Sequence, residues 1–184
     1  QTLKQNITPS QTKTAKHNYE ICSGSKILFI GGSITAGAGS SEKSKSYSEE
    51  VGSWFDFFCG KEFKIKNISI SGTGSDFAVY RLEHDLHDFI PDIAFYEFAV
   101  NDGGNENNIR KHVEGLIFKL NRLNPEMKIF SILTTMENHK RFYSEGDLPP
   151  IVEIHSQIAS DSNIPAINVG QSLWKYLSIE NEGI

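Results

Sequence analysis

Apolar and polar positions along the chain switch repeatedly between two periods. Lys26 to Ile30 (KILFI) is an apolar run of strand length, and Tyr47, Val51, Trp54, Phe55 and Phe58 then recur at the spacing of an amphipathic helix. Phe63 to Ile70 alternates with period two and runs into a Ser-Gly-Thr-Gly-Ser loop, after which Ala78, Leu82 and Leu86 mark a second helix limited by Pro91. Ile93 to Val100 (IAFYEFAV) is apolar almost throughout, as a strand covered on both faces is. Ile109, Val113, Leu116, Ile117 and Leu120 form the clearest helix, and Lys128 to Leu133 is a fourth strand. Asp147, ahead of Pro149 and Pro150, predicts the start of a helix through Ile151, Ile154, His155 and Ile158. Ala166 to Val169 is a fifth strand, and Gln171 to Leu177 reads as the start of a short helix.

Five strand and helix units in alternation predict a doubly wound α/β fold with a parallel sheet and right-handed crossovers. Residues 1–22 are Gln-, Thr-, Lys- and Asn-rich with neither period and read as a polar arm or linker, leaving residues 23–184 as one domain. At 184 residues such a domain closes a core without metal or disulfide staples. The net charge of −5 offers no basic field for nucleic acid, and Lys4, Lys13 and Lys16 are too scattered for a polybasic tail. No apolar run is long enough to span a bilayer, and the segment shows no signal-peptide pattern, so it reads as soluble with its compartment open. Cys22 and Cys59 match no zinc or redox spacing and are expected to be two reduced thiols, with a disulfide as the lesser alternative. The Asn67-Ile68-Ser69 glycosylation match falls within a predicted strand and Asn6-Ile7-Thr8 in the arm, so neither weighs much.

In doubly wound sheets ligands bind outside the carboxyl ends of the strands. Here those ends lead into Gly31-Gly32-Ser33-Ile34-Thr35-Ala36-Gly37, Ser71-Gly72-Thr73-Gly74-Ser75 and Asn101-Asp102-Gly103-Gly104, all small or polar. A phosphate-binding loop fails because Gly37 is followed by Ala38 rather than Lys, and no run supplies G-x-G-x-x-G or a G-x-S-x-G elbow. What the loops do offer is a serine after the first strand with donors arriving from the next two strand ends. That is the demand of acyl transfer, where attack on an ester carbonyl builds an oxyanion that fixed donors must meet.

These residues resemble three sequence blocks of the SGNH (GDSL-like) hydrolase family: Gly31-Gly32-Ser33-Ile34-Thr35, Asn67 to Gly72, and Val100-Asn101-Asp102. The resemblance implies a flavodoxin-like three-layer α/β/α sandwich and a serine ester hydrolase or acyltransferase that uses no metal or cofactor. It assigns Ser33 as nucleophile and first oxyanion donor, Gly72 as second donor and Asn101 as third. Two positions depart from the family pattern, Gly32 where Asp is usual and Val100 where Gly is common. The family also draws its general base from a late D-x-x-H motif, and this sequence has none. Of the six histidines, His17 lies in the arm, His84, His87 and His112 on solvated helices and His155 on a helix as a partly buried residue. His139, in the loop after the fourth strand, is the best internal candidate, but the base and a closing segment are expected beyond Ile184. The expected substrate is a small-molecule or carbohydrate ester, plausibly an acetylated sugar. Two rivals share the residues, an O-acetyltransferase acting on a saccharide and a binding module that has lost its base.

Overall fold

The computed structural model describes residues 21–181, so residues 1–20 of the predicted arm at 1–22, with His17 and Asn6, lie outside the described residues. Five strands form a single parallel sheet in the order β2-β1-β3-β4-β5: β1 (Lys26–Gly31), β2 (Lys64–Asn67), β3 (Ile93–Glu97), β4 (Lys128–Leu133) and β5 (Ala166–Asn168). The helices between them are α1 (Tyr47–Cys59), α2 (Ser75–Leu86), α3 (Glu106–Leu123), α4 (Lys140–Glu145), α5 (Pro150–Asp161) and α6 (Val169–Asn181). This is the flavodoxin-like strand order, whose switch point falls between β1 and β3, where successive connections leave in opposite directions.

Successive strand residues point to opposite faces, and the two sets build two cores. Leu28, Ile30, Ala94, Tyr96 and Phe98 pack with the buried stripes of α2 and α3, among them Leu82, Val113, Leu116 and Leu120. Ile27, Phe29, Ile93, Phe95 and Ile132 face the other way, onto Phe55 of α1 and Phe63. Beside α1 the described residues leave a cleft of about 450 Å³ over this second face, lined by Ile34, Val51, Trp54, Phe95, Phe130 and Ile167 among others. Trp54 and Phe58, predicted on the buried stripe of α1, are instead 49% and 41% exposed and stack on each other.

The strand at 63–70 was expected to be longer than the one observed, but its hydrogen bonding continues, with Ile68 N–H donating to Phe29 O and Ile70 N–H to Gly31 O. The third strand stops at Glu97, because the chain turns and Phe98 O accepts both Asn101 and Asp102 N–H. Pro149 rather than Asp147 occupies the cap of α5, whose first residue is Pro150. The last helix starts at Val169 directly after β5 and is 13 residues long, not short. The expectation of two free thiols is overturned: Cys22 and Cys59 form a disulfide with Cα atoms 5.4 Å apart. The cause is tertiary, since α1 ends beside the segment entering β1, and no local spacing announces that. Among the described residues no helix is long and apolar enough to cross a membrane.

Candidate active site

The site begins where β1 runs past its last residue. Gly32 N–H still donates to Glu97 O, and then the chain coils, with Ala36 N–H bonding Gly32 O, Gly37 N–H bonding Ile34 O and Ala38 N–H bonding Ser33 O. Ser33 sits half-buried at the head of this turn, and no described residue hydrogen-bonds its Oγ. Beneath it, Thr35 is fully buried and donates to Glu97 Oε2 at 2.9 Å, while Thr134 donates to Oε1 at 2.6 Å. Thr35 has one proton to give, so Tyr47 OH, 2.7 Å away, donates to Thr35 Oγ1. Glu97 itself has no exposed surface, and burial holds its carboxyl above the usual carboxylate range against the opposing pull of the two threonines. Burial likewise raises Tyr47, which stays a neutral donor.

The extended pairing of β2 sets the second loop alongside the first. Gly72 has φ of +76°, a left-handed conformation suited to glycine, and an added Cβ would meet nothing within 4 Å. Asn67 is used internally: its Nδ2 donates to Thr35 O at 2.7 Å and its Oδ1 accepts Ser69 N–H. That bonding ties the Ser33 turn to β2.

From β3 comes the third predicted residue. The Asn101 side chain lies over Gly32, so closely that a Cβ at position 32 would stand 1.9 Å from Asn101 Oδ1. The absence of a side chain at Gly32 is therefore what lets Asn101 reach the serine turn. Asn101 Oδ1 is buried without a partner, and no described residue bonds Nδ2. Next to it, Asp102 Oδ1 accepts Ser75 N–H at 2.7 Å, and Oδ2 stands 3.1 Å from His155 Nε2, off the straight line of a hydrogen bond. Neither of those two atoms has another partner, and their side chains are 4% and 1% exposed.

The structure thus brings Ser33, Gly72 and Asn101 to the carboxyl ends of adjacent strands. It brings no histidine into hydrogen-bond contact with Ser33 among the described residues. His139 is 6% exposed, is kept neutral by burial and has an unbonded Nδ1. Sequence reasoning missed Glu97 and the Asp102–His155 pair. The one signal for Glu97 was a lone acid inside the otherwise apolar IAFYEFAV run.

This architecture is that of the SGNH-type hydrolase fold. The chain belongs to the GDSL-like lipase/acylhydrolase family, whose profile matches residues 29–182. A two-domain esterase active on acetylated mannans, solved with mannopentaose, is 30% identical with a TM-score of 0.73, over 91% of this chain and 45% of its own. The chain therefore spans under half the length of that relative. An acetyl-xylooligosaccharide esterase from Geobacillus gives a TM-score of 0.67 at 18% identity, over 84% of this chain and 80% of its own. A lipase/acylhydrolase from Enterococcus faecalis gives 0.61 at 20% identity, over 84% and 79%. These last two bear on the fold alone. No curated protein sequence matches the chain.

Proposed function

We propose that the chain is the catalytic domain of a serine esterase that removes acetyl groups from a carbohydrate. The observation that carries this reading is the packing of Asn101 against Gly32, which sets an amide beside the serine turn at the switch point of the sheet. The 30% identical mannan esterase supports the substrate class.

In this reading Ser33 Oγ attacks the acetyl carbonyl while a histidine takes its proton. The negative oxygen that forms is met by Ser33 N–H, Gly72 N–H and Asn101 Nδ2. The histidine returns the proton to the departing sugar hydroxyl, leaving an acetyl ester on Ser33. Water, deprotonated by the same histidine, then attacks that ester, and acetate leaves as Ser33 Oγ regains the proton. The family resemblance would draw that histidine and its aspartate from a D-x-x-H motif, which this sequence does not contain, and His155 does not supply the base because it faces Asp102 from the interior.

The test is acetate release from acetylated manno-oligosaccharide by the full polypeptide, with a fluorophosphonate probe marking the reactive serine. Ser33→Ala is expected to lose the label and at least roughly 10⁴-fold in kcat with its folding intact. A folded Ser33→Ala protein that still releases acetate would overturn the assignment. Transfer of acetyl to added oligosaccharide faster than to water would make the enzyme an acetyltransferase.

A further inference from the structure

Asp102 occupies a place that the proposed reaction does not use, between the two loops that carry Gly72 and Asn101. Its backbone belongs to the Asn101 turn, where Asn101 and Asp102 N–H share Phe98 O. Its Oδ1 takes the N–H of Ser75, three residues after Gly72, at 2.7 Å. Its Oδ2 is backed by His155 of α5 at 3.1 Å. The 71–74 loop is otherwise held mainly through its own turn, with Thr73 N–H and Oγ1 both bonding Ile70 O. Gly74 confirms how closely the carboxylate is seated, since a Cβ there would stand 2.4 Å from Asp102 Oδ1.

We infer that Asp102, backed by the buried His155 imidazole, is a positioning residue that fixes the separation of the Gly72 and Asn101 oxyanion donors. The inference rests on the esterase reading. Two donors on separate loops stabilise an oxyanion only while their spacing holds, and a residue whose backbone lies in the Asn101 turn and whose Oδ1 takes the N–H of Ser75 holds it. The charge is disposed to suit the task. Oδ1 accepts the first N–H of the 12-residue α2, and Oδ2 turns to the interior, 3.1 Å from His155 Nε2 but out of hydrogen-bond alignment with it. A loose carboxylate next to a developing oxyanion would instead repel it.

The test uses the full polypeptide with Asp102→Ala, Asp102→Asn and Gly74→Ala, read on 4-nitrophenyl acetate and on the rate of fluorophosphonate labelling. Asp102→Ala is expected to lower kcat roughly 10- to 100-fold, the cost of a misplaced group, with KM within about twofold. Asp102→Asn keeps an oxygen for Ser75 N–H and recovers most of the loss. Gly74→Ala removes no functional group and has an ordinary backbone conformation, yet it pushes on Oδ1 and lowers kcat in the same direction. Hydrogen exchange at the Ser75 amide is the readout independent of turnover, and it speeds up at least about tenfold in Asp102→Ala. If the wild type neither hydrolyses nor labels, the esterase reading has failed, and Ser75 exchange still decides whether the tie exists. If Asp102→Ala does not fold, Asp102→Asn and Gly74→Ala decide. The inference is overturned by an active wild type with kcat within twofold in both Asp102→Ala and Gly74→Ala. It is also overturned by an Asp102→Asn protein no better than the alanine variant, or by unchanged Ser75 exchange.

Discussion

Removing the disulfide tests the fold apart from the chemistry. The chain has two cysteines, so Cys22→Ser/Cys59→Ser deletes one defined cross-link spanning a sequence separation of 37. In the chain-entropy account a loop of that length restricts the unfolded ensemble by about 4 kcal/mol at 25 °C. With a urea dependence of roughly 2 kcal/mol per molar, the midpoint of unfolding falls by about 2 M. The melting temperature falls by about 8–16 °C for a domain of this size. Catalysis is expected to survive, because Cys22 precedes the amino end of β1 and the site lies at its carboxyl end. The assay is urea unfolding of the wild type with and without reductant beside the double variant, with kcat/KM taken well below the transition. The reduced wild type and the variant should unfold together, ahead of the oxidised protein. Coincident midpoints for all three, or two titratable thiols in the untreated protein, would refute the reasoning.

In the proposed mechanism Asn101→Ala removes one oxyanion donor, and it is expected to lower kcat by roughly 10²–10³ with KM little changed. Steady-state kinetics check it, and a raised KM at constant kcat would make Asn101 a substrate-binding residue. Glu97→Gln tests the buried carboxyl through pH. Burial keeps Glu97 protonated to higher pH in the folded state than in the unfolded one, so its contribution falls as pH rises from the ordinary carboxylate value through the folded one. The variant is therefore expected to gain stability relative to wild type as pH rises across that window, measured by denaturant unfolding from pH 4 to 8. A difference that does not change with pH would show the carboxyl is not perturbed.

Strand order and most elements were legible because burial imposes period. KILFI and Lys128 to Leu133 are read almost to the residue, since most of their residues are buried and few polar residues interrupt them. Strand ends were less legible. Phe98 and Ala99 keep the apolar composition of β3 because they stay buried while the backbone turns, and half-buried Val100 extends it, so composition hides the turn that carries Asn101. Ser33, Gly72 and Asn101 were singled out because each lies in a small or polar stretch beyond a predicted strand, and the structure brings those stretches to one edge of the sheet. The Cys22–Cys59 bond, the Glu97–Thr35–Thr134 network and the Asp102–His155 pair were not. Each joins residues 37 to 62 positions apart, and sequence spacing carries no signal for contacts made only when helices dock.

The packing of Asn101 on Gly32 also bears on how this sequence can change. The aspartate usual at position 32 in the family has a Cβ, and here that atom's place is taken by the amide that reaches the serine turn. A single step from glycine to aspartate would therefore displace Asn101 before any benefit of the acid could be felt. The two positions are therefore coupled sterically in this chain: an aspartate at 32 fits only together with a shift of the Asn101 amide, so the effect of changing one depends on the other.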